Sequence, residues 1–306
     1  MKTCLLTVLG LALAVGASAQ NIADQSFSSS AAGSRQSSDE VEDIGFIVEK
    51  TVVERVDPGG KSIVGKDFIP QEKAYKFRFT VSSRPQYSSN AEMSGDHGSD
   101  DFLWQPQVEG GVRVELPRGF GLDLAGKVET VLYASFDERS FVGYSAQATL
   151  DYRPAPALPR VFISAEPYRF DRYDDGDLIT QAVGLTAGTD WGVGFNNGNS
   201  LAFVGYQFTK YLSDPGIDDR NSHRATLGLT HIIAPKLVGQ LFYAYQYSGF
   251  DIDRQDSRHL AGVNLTYQFS RNWFASLSGT FVDLDSTQER ASYQGALAAF
   301  EVRVQF

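Results

Sequence analysis

The last seven residues of this 306-residue chain restrict its fold more than any other segment. Apolar and polar side chains alternate strictly there, with Phe300, Val302, Val304 and Phe306 on one side and Glu301, Arg303 and Gln305 on the other. Successive side chains of an extended strand point to opposite faces, so this strand has one apolar face and one polar face. Such a strand alone would be ordinary in a soluble sheet. Because the pattern recurs along the chain behind a secretory signal, it predicts a barrel whose outer face contacts lipid and whose inner face contacts water.

The N-terminal segment has the features of a secretory signal. Lys2 precedes a short apolar stretch, and Ala17-Ser18-Ala19 has the small residues of a cleavage site, which predicts a signal peptide over residues 1–19 that is cleaved after Ala19. Cys4, the only cysteine, lies inside that peptide, so the exported chain is expected to contain no disulfide. No later stretch approaches about 18 consecutive apolar residues, so no transmembrane helix is expected.

Composition and charge narrow the classes further. A hydrophobic content of 42% is low for a bundle of membrane helices, but it suits a barrel in which alternate residues face a polar lumen. The formal net charge of -10 argues against a nucleic-acid partner, because binding to phosphates requires a basic surface. Residues 20–72 are polar and are expected to be partly disordered, as a lumen plug, a periplasmic element or a linker.

From residue 73 to residue 306 the alternation recurs and predicts about 12 antiparallel strands in one closed transmembrane β-barrel. Short connections rich in Pro, Gly or Asn alternate with acidic connections, namely 137–139, 171–177, 214–219, 251–256 and 283–289, and a longer connection over 82–101 joins the first two strands. Short turns on one rim and longer polar loops on the other are typical of bacterial outer-membrane barrels. This arrangement predicts that both termini are periplasmic.

The cleavable signal, the amphipathic strands and the terminal Phe306 together resemble the bacterial outer-membrane β-barrel superfamily, over residues 73–306. The resemblance implies an outer-membrane location in a Gram-negative bacterium, with outer-membrane lipid and the barrel assembly machinery as partners. It also implies that the last strand is the assembly signal, carried by Phe300, Val302, Val304 and Phe306. Fold does not fix cargo in this superfamily.

The polar faces of the predicted strands supply the candidate site. The residues expected to line a pore are Asp123, Lys127, Glu129, Gln147, Asp151, Arg224, Gln240, Glu301 and Arg303. Both charge signs occur and many other inward positions are small, which favours a narrow pore. The alternative is a lumen closed by paired charges, such as Lys127 with Glu129, or by residues 20–72.

Other chemistries find less support in the sequence. The acidic connections lack the spacing of an EF-hand, so we expect solvated loops that favour cations near the mouth, and we expect neither a metal site nor a cofactor. Ser222 and His223 are adjacent and would point to opposite faces of a strand, which is unsuitable for a nucleophile and its base. We therefore expect a porin-like transport channel for passive diffusion of small polar solutes or ions, not an enzyme. The alternative is a non-conducting structural or surface-binding barrel.

Overall fold

The computed structural model describes residues 75–91, 99–155, 158–196, 199–214, 219–288 and 291–306. The predicted signal peptide (1–19) and the predicted N-terminal segment (20–72) lie outside the described residues. Within the described part of the chain, no helix is long and apolar enough to cross a membrane.

Almost all of the described residues belong to strands, which we label β1 to β12 in chain order. They are Tyr75–Ser88, Asp101–Leu116, Phe120–Tyr133, Phe141–Tyr152, Arg160–Arg172, Leu178–Phe195, Ser200–Asp214, Arg220–Ala234, Leu237–Phe250, Gln255–Gln268, Trp273–Ser286 and Tyr293–Gln305. Each strand pairs antiparallel with its neighbours in sequence, and β1 pairs antiparallel with β12, so the sheet closes. The predicted fold, a closed antiparallel barrel of 12 strands, is confirmed.

The seam between β1 and β12 completes the barrel. Thr80 pairs with Gln305 and Ser82 with Arg303. At the end of the seam the amide of Phe79 donates to the carbonyl oxygen of Phe306 at 3.1 Å. The amide of Phe306 in turn donates to the carbonyl oxygen of Phe79 at 2.9 Å. Because an unpaired backbone group in lipid costs several kcal/mol, as a rough guide, only a closed sheet of this kind is stable in a bilayer.

Three strands continue through prolines, which corrects the predicted boundaries. The expected connection over 82–101 was wrong, since β1 continues to Ser88 and β2 begins at Asp101. Pro85 keeps its register with Trp104 of β2, whereas the register of β1 with β12 omits Arg84 and Pro85. A proline lacks the amide donor, so it interrupts the ladder on one side only. Equivalent gaps occur at Pro106 between β2 and β3 and at Pro167 between β4 and β5.

The connections differ between the two rims. On one rim the turn Pro117–Gly119 joins β2 to β3, with Arg118 at φ 66° and Gly119 at φ 82°, and both described chain ends lie on this rim. A side chain at Gly119 would meet the carbonyl oxygen of Arg153, so the turn requires glycine on two grounds. On the other rim the acidic connections are shorter than expected, because β5, β10 and β11 extend into them and include Asp171, Asp256 and Asp283.

Candidate functional site

Strand register places all the predicted pore residues on one face of the sheet. Residues that pair across neighbouring strands share a face, and pairs such as Glu109 with Lys127 connect that face from strand to strand around the barrel. The opposite face carries exposed apolar side chains, among them Leu227 at 57%, Leu241 at 56% and Leu277 at 58% relative exposure. The apolar face is therefore the outer wall. The inner wall carries Asp123, Lys127, Glu129, Gln147, Asp151, Arg224, Gln240, Glu301 and Arg303. Their role as pore residues remains a prediction.

Two bidentate ion pairs span alternate strands of the inner wall. Arg78 on β1 donates to both carboxylate oxygens of Asp123 on β3, at 2.6 and 2.9 Å. Arg113 on β2 donates to both oxygens of Asp151 on β4, at 3.0 and 3.1 Å. Each arginine crosses a glycine of the intervening strand: a Cβ at Gly111 would lie 2.9 Å from the Arg78 guanidinium carbon, and one at Gly121 would lie 2.6 Å from an Arg113 nitrogen.

The prediction named the two carboxylates of these pairs but neither arginine. Alternation alone places Arg78 and Arg113 on the polar face, but it gives no information about which residues meet across two strands. The signal that was missed is a glycine in register between them. Arg78 pairs with Gly111, and Gly121 pairs with Asp151.

A further group of charges lies between these pairs and the loop-side rim. Lys127 donates to one carboxylate oxygen of Glu129 at 3.1 Å, and Gln105 donates to the other at 2.6 Å. The Lys127–Glu129 pair is the one that the alternative prediction named as closing the lumen. The Glu129 side chain is fully buried. Arg84 on β1 interacts electrostatically with both Glu301 and Glu129. Charges of three strand regions, β1, β3 and β12, therefore meet on this part of the wall.

Charge is distributed unevenly around the lumen. The inner faces of β2 to β5 carry most of the carboxylates, which are Asp101, Glu109, Glu115, Asp123, Glu129, Asp151 and Glu166. On the described inner faces of β7 to β11, Asp256 is the single carboxylate, whereas Arg220, Arg224 and Arg258 are all cationic. The inner faces of β2 to β5 also carry Arg113, Lys127, Arg160 and Arg172, so carboxylates exceed cations there by three (7 − 4), whereas cations exceed carboxylates by two (3 − 1) on β7 to β11. A solute inside the barrel therefore meets a net acidic wall on one side and a net basic wall on the other.

The inner wall is apolar and buried near the loop-side rim. Buried apolar side chains form one cluster there, composed of Ala91, Leu103, Val131, Tyr133, Phe141, Tyr168, Phe170, Ala182, Ala244, Leu260, Val282, Leu284 and Tyr293. Ala91 belongs to the β1–β2 connection, and its carbonyl oxygen accepts a hydrogen bond from Arg139 at 3.2 Å. Asn90 donates to the carbonyl oxygen of Gln294 at 2.9 Å. These contacts hold the start of the first loop against the inner wall.

Elsewhere the aromatic rings of the inner wall lie against glycines of the next strand. Phe162 pairs with Gly188, Phe203 with Gly228 and Phe242 with Gly262. A Cβ at Gly188 or Gly262 would lie 2.5 Å from the facing ring. Each ring therefore occupies the space that a side chain on the neighbouring strand would take, and lies along the wall rather than across the lumen.

The residues of the predicted assembly signal lie on the outer face of β12. Phe300 is 47% and Phe306 69% exposed there, and Val302 and Val304 share that face by register. The ring of Phe306 lies 6.3 Å from that of Phe79 across the seam. The structure places these side chains on the outer wall, and their contact with lipid and their recognition by the assembly machinery remain predictions.

Two tyrosine–histidine pairs repeat on the outer wall. The Tyr206 hydroxyl and His223 Nδ1 are 2.8 Å apart, and the Tyr243 hydroxyl and His259 Nδ1 are 2.7 Å apart. Sequence analysis missed this repeat, although the pattern His-x-Ala-x-x-x-Leu-Thr begins at both histidines. Ser222 lies on the inner face and His223 on the outer face, as expected for adjacent strand residues. Among the described residues, no group of three or more His, Cys, Asp or Glu side chains is arranged to hold a metal ion.

The comparisons with known proteins agree with this architecture. Residues 168–306 match the family described as Putative beta-barrel porin 2. The fold is similar to that of an outer membrane channel from Pseudomonas putida F1, with 13% identity, coverage of 79% of this chain and 99% of that chain, and a TM-score of 0.52. No curated protein sequence matches the chain.

Two other solved structures are similar at lower TM-scores. The translocator domain of the autotransporter NalP from Neisseria meningitidis has 10% identity, coverage of 87% and 98%, and a TM-score of 0.44. The outer membrane channel DcaP of Acinetobacter baumannii has 12% identity, coverage of 76% and 97%, and a TM-score of 0.43. The chain therefore shares the closed-barrel fold of an outer membrane channel, and its C-terminal part, residues 168–306, matches a β-barrel porin family. The outer-membrane location remains a prediction.

Proposed function

We propose that this protein is a narrow outer-membrane channel through which small polar solutes or ions diffuse passively. The observation that carries the proposal is the polar middle of the inner wall. Gln147, Gln240 and Glu301 point inward from three different sectors of the barrel, and each is only partly buried. A closed barrel with solvent-accessible polar side chains along its interior suits an aqueous path.

The uneven charge of the wall gives this path its mechanism. A polar solute exchanges hydrogen bonds with water for hydrogen bonds with the acidic wall of β2 to β5 and the basic wall of β7 to β11. The arginine side chains tied to Asp123 and Asp151 stay near the acidic wall, which keeps these long side chains out of the path. In this proposal the short turns and both termini face the periplasm, and the acidic loops face the exterior.

A non-conducting structural or surface-binding barrel is the second candidate. The buried apolar cluster near the loop-side rim favours it, since side chains such as Phe170 and Val282 are at most 2% exposed on a wall that an open pore would hydrate. A transport or binding role is proposed in preference to catalysis, because Ser222 and His223 point to opposite faces of β8.

Liposome swelling separates the two candidates. Liposomes containing the refolded protein are diluted into isosmotic solutions of neutral sugars of increasing size, and light scattering records the swelling rate. A channel predicts rapid swelling in the smallest sugar and a rate that declines with solute size. Rates equal to those of empty liposomes, with folding verified by heat-modifiable gel mobility, would reject the channel and favour the non-conducting barrel.

A further inference from the structure

Two arginines of the basic wall lie in one row of paired residues. Arg224 on β8 pairs with Gln246 on β9, and Gln246 pairs with Arg258 on β10. Paired residues on neighbouring strands have Cβ atoms about 5 Å apart, so the two arginine side chains leave the same wall roughly 10 Å apart. They repel each other electrostatically. Two like charges are thus held side by side in the lumen.

The more buried of these two arginines has donors without acceptors. Arg258 is only 4% exposed, and its Nε and Nη2 atoms are buried without a hydrogen-bond partner among the described residues. Buried donors of a charged group are costly unless an acceptor satisfies them. The Arg258 guanidinium group therefore has the donors for an acceptor that the described residues do not supply.

No carboxylate on the described part of this wall is available as an acceptor for Arg258. The single inner-face carboxylate on the described parts of β7 to β11 is Asp256. Arg254 already donates to both of its oxygens, at 2.9 and 2.6 Å, and Ser286 donates at 2.6 Å. On the acidic wall, Glu129 is bound by Lys127 and Gln105.

Two serine hydroxyls lie beside the row on one side and two apolar side chains on the other. The Ser248 hydroxyl lies 3.2 Å from that of Ser222, and these two buried serines form the next inward-facing pair toward the loop-side rim. The next inward-facing pair on the other side of the row is Ala244 with Leu260, both buried. Apolar neighbours lower the local dielectric, so they strengthen the attraction of the arginines for an anion.

We infer that the row Arg224–Gln246–Arg258 is a binding site for an oxyanion, the carboxylate or phosphate group of a small solute inside the lumen. A guanidinium presents parallel donors that match both groups, and two of them converging on one anion remove the mutual repulsion of the row. A role for this site in solute permeation rests on the proposed channel function. As a binding site, it does not depend on conductance.

This site changes the expected selectivity of the barrel. The acidic loops led to an expected preference for cations near the mouth, whereas the row would retain anions farther inside. A solute that carries both an ammonium and a carboxylate group satisfies both regions.

Equilibrium binding to the refolded full-length protein in neutral detergent tests the inference. Isothermal titration with inorganic phosphate and, separately, with succinate is carried out at constant ionic strength, with chloride as the reference anion. We expect saturable binding of at least one oxyanion. The variants R224Q and R258Q are each expected to weaken it about tenfold or more, the effect of losing one hydrogen bond to a charged group. R271Q, which removes the same charge from an exposed turn residue, should leave binding unchanged.

The outcomes separate the site from the channel. Phosphate binding without succinate binding assigns a phosphate-bearing solute, and the reverse assigns a carboxylate. Absence of binding in the wild-type protein, or equal binding in R224Q and R258Q variants that show heat-modifiable folding, overturns the inference. Oxyanion binding by a protein that does not conduct supports the site while rejecting the channel. Conductance without oxyanion binding supports the channel while rejecting the site.

Discussion

A matched pair of arginine substitutions on β10 tests which wall of the barrel meets lipid. Val263 lies in the interior of the strand on the outer wall and is 43% exposed. Its neighbour Asn264 points into the lumen, where it pairs with the polar residues Gln240 and Ser278. An arginine on the lipid face near the bilayer midplane costs about 2–4 kcal/mol, whereas an arginine in a polar lumen avoids this cost. Val263→Arg should therefore shift the folding equilibrium toward the unfolded state roughly 30- to 900-fold, at about 1.36 kcal/mol per factor of ten.

The assay is reversible denaturant unfolding in lipid vesicles, followed by tryptophan fluorescence and gel mobility. Asn264→Arg should lower the free energy of unfolding by less than about 1 kcal/mol, since its neighbours are polar and partly hydrated. The comparison is internally controlled, because both variants add the same charge to adjacent positions of one strand. Equal losses in the two variants, or a larger loss for Asn264→Arg, would refute the assignment of the walls.

Two further predictions concern the inner wall. Gly262→Ala would place a Cβ 2.5 Å from the Phe242 ring and push that ring into the lumen, so we expect a lower single-channel conductance. Gly249→Ala is the control, because a Cβ there meets no atom within 4 Å. Equal conductance in the two variants would contradict the role of Gly262. Asp151→Asn leaves Arg113 without its bidentate carboxylate, so we expect about 1–3 kcal/mol less stability in denaturant titrations, and an unchanged unfolding midpoint would argue against a stabilising pair.

Strand number and wall assignment were predictable because each strand carries its own signal of period two. Val302 and Arg303 need no knowledge of the remaining strands to be placed on opposite walls. The start of the first loop was not predictable in this way. The predicted connection over 82–101 included Pro85, whereas the structure shows that a proline in a barrel strand interrupts only one of its two ladders.

The candidate site was less accessible to sequence reasoning, because its contacts cross strands. The pairing of Arg78 with Asp123 depends on the register of two interfaces and on Gly111 between them. The row of Arg224 and Arg258 likewise appears only when β8, β9 and β10 are aligned. Alternation assigns a residue to a wall, but it does not specify the residue's neighbours around the barrel.

Planar-bilayer recording of the refolded protein tests the central proposal most directly. The chain from Gln20 onward is added to a voltage-clamped bilayer after its folding has been verified by heat-modifiable gel mobility. The channel proposal predicts stable, ohmic current steps, whose reversal potential in a salt gradient reports ion selectivity. A folded, inserted protein that produces no current steps above the bare bilayer would contradict the proposal and leave the non-conducting barrel as the better description.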